Sequence, residues 1–250
     1  MKKKILISGS NGFIGSYFYD KFSKEHDVYK LNYKLGSKNF IDGIKKQLPN
    51  CEIDIYIHLA FNKKSISKNY HFINVDSLTI LYSILEKKYK NFTFFYMSSL
   101  NVFLEKYYDK YTYTKLAAEN KIYKFNNVKI IRIPLVISDK SEGDIYKLSK
   151  YVNIIPFISL VPHKGSIINY IKIDYLISKL SEIISSNDKE ININNNEKIY
   201  LVDLAKKVAK KKIFFIRIDN YLNKILRYIS PIFLCVDYEK FYNWKKNIHK

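Results

Sequence analysis

The stretch Lys3–Phe18, KKILISGSNGFIGSYF, constrains this chain more than any other. Ile5-Leu6-Ile7 is a short apolar run of the kind that forms a buried β-strand. Behind it come Gly9, Gly12 and Gly15, with Phe13, Ile14, Tyr17 and Phe18 at helical spacing. The chain holds only seven glycines in 250 residues, so three in one G-x-x-G-x-x-G frame are a signal rather than background. Gly9 permits a tight turn off the strand, Gly12 lets backbone approach a pyrophosphate, and Gly15 lets the helix lie close on the strand. The helix start then offers unpaired N–H groups and a partial positive charge to phosphate. Strand, glycine turn and helix together predict a dinucleotide-binding βαβ unit.

The periodicity downstream extends that unit into an α/β fold. Asp27–Asn32 reads as a second strand, Asn39–Ile41 as a short third, and Ile44–Leu48 as a helical turn. Ile53–Ala60 is nearly continuous in apolar residues, as a strand covered on both faces should be. A helix over Tyr70–Lys88 carries Phe72, Val75, Leu78, Leu81, Ile84 and Leu85 on one face. Phe92–Met97 is a fifth strand, Tyr111–Phe125 a helix, and Val128–Ile133 a sixth strand ended by Pro134. Alternating strands and helices predict a doubly wound parallel sheet of the Rossmann type. Beyond Pro134 the pattern loosens, with helices expected near Asp144–Tyr151, Asp174–Ile184 and Leu201–Lys211 and a turn-rich break at Asn192–Glu197. Residues 1–137 are thus expected to bind the cofactor. Residues 138–250 are expected to form mainly a smaller substrate lobe with returning elements of the sheet.

Composition narrows the class. A hydrophobic share of 47% with 16% aromatic residues is that of a globular chain. No apolar run reaches the ~18 residues of a membrane span. A cleaved secretory leader would remove the first strand, so none is expected. Cys51 and Cys235 are the only cysteines, and no His/Cys cluster suggests a metal, which fits a reducing cytoplasm. The net charge of +20 comes from 40 lysines and only three arginines, spread over the chain. Arginine is the residue for bidentate base and phosphate contacts, so nucleic acid is disfavoured. The basic, aromatic stretch from Lys206 through Tyr221–Val236 is read as a solvated helix followed by a core-facing one. Attachment to a membrane surface is the less favoured reading of it. The positive field suits a doubly anionic substrate.

Two further patterns carry chemistry. An acidic residue closing the second strand would hydrogen-bond the ribose of NAD. Asn32 stands there instead, followed by Lys34 and Lys38, which favours NADP over NAD. Tyr111 and Lys115 form a Tyr-x-x-x-Lys pair on one helical face, so that an ammonium sits beside a phenol. A free phenol titrates near 10, and a neighbouring cation favours the phenolate that general base catalysis needs. The same spacing recurs at Tyr17/Lys21, Tyr146/Lys150, Tyr175/Lys179 and Tyr242/Lys246, so spacing alone does not select a pair. Context does, because only Tyr111 follows a buried strand ending in Ser98-Ser99 and opens an amphipathic helix.

In order, these residues resemble the extended short-chain dehydrogenase/reductases, the nucleotide-sugar epimerase, dehydratase and reductase group. SGSNGFIG is similar to that family's TGxxGFIG turn and DIYIHLA (Asp54–Ala60) to its D-x-x-x-H-L-A strand. Asn74-Val75 resembles the opening of its next helix, and MSSLNVF (Met97–Phe103) its S-S-x-x-V-Y strand end. YTYTKLAAE (Tyr111–Glu119) is similar to Y-x-x-S-K-x-x-x-E, with Thr114 for serine, and RIPLV (Arg132–Val136) to R-x-P-x-x-V. NYIKIDYL (Asn169–Leu176) and INNNEKIYLVDLA (Ile193–Ala205) resemble later family elements. The resemblance implies Tyr111 as general acid/base, Lys115 as the cation that lowers its pKa, and Ser99 as a hydrogen-bond partner of the reacting oxygen. It implies cofactor contacts at Gly9, Asn11, Gly12, Phe13, Ile14, Gly15, Leu59, Ala60, Asn74, Tyr111, Lys115 and Pro134, beside Asn32 and Lys34. It makes His58 a structural neighbour of the cofactor rather than a catalyst. It also implies a nucleotide-sugar substrate and a role in polysaccharide biosynthesis. Homodimerisation through the Asn74 and Tyr111 helices is common in that family.

The chain also departs from the family pattern. Ser99 and Tyr111 lie only 12 residues apart, about half the family interval. Leu100-Asn101 stands where 4,6-dehydratases carry Asp-Glu, which disfavours elimination of water. The expectation is an NAD(P)-dependent 4-ketoreductase or 4-epimerase. The short loop leaves a second reading open, a non-catalytic NAD(P)-binding sensor or assembly protein on the same fold.

Overall fold

The computed structural model describes residues 2–33, 39–62, 69–103, 110–140, 143–154, 158–162, 167–210 and 214–218. In chain order the elements are β1 (Lys4–Ser8), α1 (Phe13–Phe22), β2 (Asp27–Leu31), α2 (Phe40–Gln47) and β3 (Ile55–His58). A π-helical turn (Phe72–Asp76) then leads into α3 (Ser77–Lys88), β4 (Thr93–Ser99), a 3-10 turn (Leu100–Phe103), α4 (Lys110–Ile122) and β5 (Val128–Ile133). Next come β6 (Leu135–Ile137), α5 (Gly143–Ile154), β7 (Ile158–Pro162), β8 (Ile167–Lys172) and α6 (Ile173–Ile183). The remaining elements are β9 (Glu190–Asn192), β10 (Lys198–Tyr200), α7 (Leu201–Val208) and β11 (Phe214–Ile218). They divide into two compact units, one drawn from Met1–Val102, Tyr108–Ile133 and Ile177–Ile193. The other is drawn from Phe103–Tyr107, Pro134–Leu176 and Asn194–Lys250.

The first unit is a six-stranded parallel sheet of order β2-β1-β3-β4-β5-β9. Its strand order reverses at β1, which pairs with β2 on one side and β3 on the other. In such a sheet ligands bind outside the carboxyl ends of the strands at this reversal. The glycine turn that follows β1 therefore starts at the binding edge. Leu6, Tyr56, Phe94, Tyr96 and Ile130 share one core with Phe40 and Ile44 of α2, Leu78, Leu81 and Leu85 of α3, and Ala118 and Ile122 of α4. Residues of opposite parity, Ile5, Ile7, Ile57 and Phe95, are equally buried, so both sheet faces are covered. Each such side chain contributes about 1.5–3 kcal/mol of burial.

The third strand expected at Asn39–Ile41 is absent, and α2 occupies the place. Phe40 and Ile44 lie four residues apart and are buried, while Asp42, Lys45 and Lys46 face water, which is a helical period. The strand expected over Ile53–Ala60 shortens to β3, because Leu59 and Ala60 turn away toward the glycine loop. α4 ends at Ile122 and α7 at Val208, short of the expected Phe125 and Lys211. The long helix expected over Tyr70–Lys88 carries a wide π turn at its start. There Asn74 Nδ2 donates to the Tyr70 carbonyl at 3.0 Å, the acceptor that an α-helix offers to the amide of Asn74 itself. β9 is a three-residue strand that no alternation announced, and its amide and carbonyl groups complete the ladder beside β5.

The second unit contains an antiparallel β10–β8 pair extended by parallel β6, and a separate parallel β11–β7 pair. Ile145, Leu148 and Val152 of α5 pack with Ile168, Leu204 and Ala205. Asn153 ties α5 to the end of α7 through the Val208 carbonyl at 3.2 Å and the Lys210 amide at 3.0 Å. Pro134 is buried between β5 and β6. No described helix is long and apolar enough to cross a membrane. Among the described residues no group of three His, Cys, Asp or Glu could hold a metal.

Candidate active site

The glycine turn is built so tightly that it admits only glycine at two points. Gly9 has φ +77°, and a Cβ there would lie 2.6 Å from the Ala60 nitrogen and 2.7 Å from the Leu59 carbonyl carbon. The turn after β1 thus rests on the turn after β3, and the Leu59 amide donates to the Ser8 carbonyl at 3.1 Å. A Cβ on Gly15 would stand 2.1 Å from the Gly9 oxygen, so α1 can lie this close only without one. Gly12 is exposed, and a Cβ there would meet only the Gly9 oxygen at 3.2 Å. No side chain caps α1, which leaves the amides of its first turn, at Phe13, Ile14 and Gly15, without intrahelical acceptors. Backbone that is open on its outer side and ends in bare amides can hold the diphosphate of a dinucleotide. Asn11 is exposed on the same turn.

Asn32 lies just past β2, and its Oδ1 accepts the Ser10 hydroxyl at 3.1 Å. Its own amide donates to Gln47 Oε1 at 2.9 Å. Its Nδ2 donates to no acceptor among the described residues, so it stays available as a donor beside the glycine turn. Lys34 and Lys38 lie outside the described residues. Asn74 is buried, and its carboxamide pairs with the backbone of Asn62, accepting the amide at 2.8 Å and donating to the carbonyl at 3.2 Å. It braces the Leu59–Asn62 loop that borders the glycine turn.

His58 points into the sheet interior. Its Nδ1 lies 2.9 Å from the Tyr56 hydroxyl and 3.1 Å from Ser8 Oγ, while Tyr56 donates to Ser8 at 2.8 Å. Burial, reinforced by the Lys115 charge, lowers the pKa of His58 to about 3, so the ring stays neutral and joins the ends of β1 and β3.

Ser99, Lys115 and Tyr111 come from β4 and α4. Lys115 is buried, and its ammonium donates to the Met97 carbonyl at 2.7 Å, two residues before Ser99 at the strand end. Tyr111 lies one helical turn before Lys115, toward the carboxyl edge of the sheet. Ser99 is buried at that edge, where its Oγ accepts the Asn101 amide at 3.3 Å. A second anchor stands one turn below Lys115. Glu119 takes a bidentate grip from Arg132 of β5, with Nε 3.0 Å from both carboxylate oxygens and Nη2 2.7 Å from Oε2. Arg132 Nη1 also donates to Glu190 of β9 at 2.6 Å. Burial opposes the guanidinium charge, but the Glu119 and Glu190 hydrogen bonds outweigh it and raise the pKa of Arg132 further. The helix that carries Tyr111 is therefore held on two strands through two buried cations. Sequence reading missed this triad, although YTYTKLAAE and RIPLV already contained Glu119 and Arg132.

It also missed Phe61, whose ring lies edge-on to Tyr111 at 5.1 Å and over the Lys115 ammonium at 4.5 Å. The Tyr96 ring lies 4.8 Å from the same ammonium. Burial, followed by the fields of Tyr111, Glu119 and Tyr70, raises the Tyr96 pKa well above its ordinary value, so the phenol stays neutral.

No protein-family model matches the chain, and no curated sequence matches it. Solved structures do. RMD from Pseudomonas aeruginosa, complexed with NADPH, superposes with a TM-score of 0.67 at 16% identity, covering 88% of this chain and 86% of that one. dTDP-4-dehydrorhamnose reductase from Bacillus anthracis, in complex with NADP, gives 0.68 at 16% identity over 87% and 85%. UDP-glucose 4-epimerase from Thermotoga maritima, with UDP-glucose, gives 0.61 at 14% identity over 86% and 85%. Structures of this kind reach from reductases to epimerases, and what they share with this chain is the fold. The chain therefore has the Rossmann-type fold of the short-chain dehydrogenase/reductases, in agreement with the family its sequence resembles.

Proposed function

We propose that this protein is an NAD(P)-dependent oxidoreductase acting on the sugar of a nucleotide-sugar, as a 4-ketoreductase in preference to a 4-epimerase. The observation that carries the reading is Lys115, a buried ammonium pinned to β4 two residues from Ser99, with Tyr111 one turn above it at the binding edge. A bound nicotinamide would supply or remove the hydride. The chain's own residues do the rest. The amides after Gly12 hold the diphosphate, and Asn32 Nδ2 meets the adenosine ribose. Ser99 Oγ donates to the reacting carbonyl oxygen. Tyr111 gives that oxygen a proton in reduction and takes one from the hydroxyl in oxidation, while Lys115 stabilises the phenolate left behind. Leu100–Phe103 carries no carboxylate where 4,6-dehydratases carry Asp-Glu, which disfavours elimination of water.

The lack of an acidic residue at Asn32 favours NADPH as an exchanging cosubstrate, and hence reduction. The test is NADPH consumption with a panel of dTDP-, GDP- and UDP-linked 4-keto-sugars, beside epimerisation of UDP-glucose without added cofactor. Tyr111→Phe is expected to abolish turnover and to leave NADPH affinity near the wild-type value. Undiminished turnover by that variant would overturn the assignment. Cofactor binding by a wild type that turns over no substrate of the panel would favour the sensor or assembly reading.

A further inference from the structure

Lys115 sits in an unusual pocket for an ammonium. The residue is 6% exposed, and one of its N–H groups goes to the Met97 carbonyl. Two aromatic faces flank the nitrogen, Phe61 at 4.5 Å and Tyr96 at 4.8 Å, both within the ~6 Å over which a ring attracts a cation. Burying an ammonium disfavours its charged form, and ring faces act in the opposite sense. Neither ring is loosely placed. Tyr96 is 1% exposed, stacks at 5.9 Å on His58, and has no hydrogen-bond partner for its hydroxyl among the described residues. Phe61 is held edge-on by Tyr70 at 6.1 Å and by Tyr111 at 5.1 Å. Its loop is fixed at the next residue, Asn62, by both ends of the Asn74 carboxamide.

We propose that Phe61 and Tyr96 form an aromatic clamp that keeps Lys115 charged and fixed beneath Tyr111, which makes Phe61 a positioning residue of the site. The proposal rests on the reading of Tyr111 and Lys115 given above. Among the described residues, the titratable groups around the ammonium are Tyr111 and Glu119 on its own helix, Tyr96 on β4, His58 on β3 and Tyr70 before the π turn. Glu119 is gripped by Arg132, and His58 and Tyr96 are held neutral by burial, so both stay uncharged across the working pH range. The clamp therefore acts on Lys115 itself. It also gives the Asn74 brace a purpose, because it sets the height of Phe61 over the ammonium.

The experiment is residue-resolved competitive acetylation of Lys115 against pH, read by mass spectrometry on the full chain. It compares wild type, Phe61→Leu, Phe61→Tyr and a variant with 3,4,5-trifluorophenylalanine at position 61. Leucine keeps an apolar cover without a π face, and the fluorinated ring keeps the shape with a weakened one. The midpoint for Lys115 is expected to fall by roughly half a unit to one and a half units in both, and to stay near wild type in Phe61→Tyr. The alkaline limb of the kcat/KM profile should move down with it. Unchanged midpoints in the leucine and fluorinated variants would overturn the clamp, whatever the turnover. If Lys115→Met keeps full turnover while the Phe61 variants shift the midpoint, the clamp stands and the catalytic reading falls.

Discussion

Replacing Arg132 with methionine tests how the helix bearing Tyr111 is held. Arg132 makes three hydrogen bonds of 2.7–3.0 Å to Glu119 and one of 2.6 Å to Glu190. The side chains of Arg132 and Glu119 are 8% and 5% exposed, whereas that of Glu190 is 40% exposed. Methionine fills the space of the arginine stem but strands Glu119 as a buried carboxylate, and breaking a buried pair from one side costs about 3–5 kcal/mol. Glu190 can turn to water, so its share is about 0–1 kcal/mol, as for an exposed pair. At about 2–4 °C per kcal/mol for a chain of this size, Arg132→Met should melt roughly 6–24 °C lower. The double variant Arg132→Met/Glu119→Leu replaces the pair with apolar groups and should recover most of the loss. Urea unfolding of the two variants, with Glu190→Gln as control, measures each contribution. The reasoning is refuted if the double variant is no more stable than Arg132→Met, or if Glu190→Gln costs as much as Arg132→Met.

Three further outcomes are expected. Gly15→Ala, whose methyl would stand 2.1 Å from the Gly9 oxygen, should cost about 1–3 kcal/mol and weaken NADPH binding at least ~10-fold. Gly43→Ala, with open space around it in α2, should instead stabilise by about 0.5–1 kcal/mol, and calorimetry with NADPH titration separates the two. The Arg132 hydrogen bond holds the Glu190 pKa below its ordinary value. Because the folded value is the lower one, Glu190 contributes stability above the unfolded pKa near ~4.3 and loses it as pH falls through the folded value. Glu190→Gln should therefore show a shallower loss of stability than wild type below about pH 5, and parallel curves would contradict this.

Much of the sheet was legible from sequence because strand burial and helical amphipathicity are local periodicities. Ile5-Leu6-Ile7, Val128–Ile133 and the apolar face of α3 declare themselves without knowledge of their neighbours. Asn39–Ile41 misled because three residues are too few to separate a strand from the first turn of a helix. The place of Phe40 against the core settled it. β9 was invisible because a three-residue strand is made by the ladder of β5, not by its own pattern. The candidate pair was legible in part. The order Ser99, Tyr111, Lys115 singled it out from four identical spacings, but the order says nothing of what surrounds an ammonium.

What the sequence determined alone is the glycine turn and the βαβ alternation behind it, since the positive φ of Gly9 and the packing of Gly15 on the Gly9 carbonyl are set by backbone within the turn itself. What only the tertiary structure decided are the couplings between distant residues. Arg132 reaches Glu119 and Glu190 across 13 and 58 positions, Asn74 reaches Asn62 across 12, and Lys115 reaches Met97 across 18. Phe61 follows a motif that gives its side chain no role, and it acquires one only where β3, β4 and α4 bring it over a buried cation. Such contacts have no period and no spacing rule, because burial creates them by removing the water that would otherwise satisfy each charge.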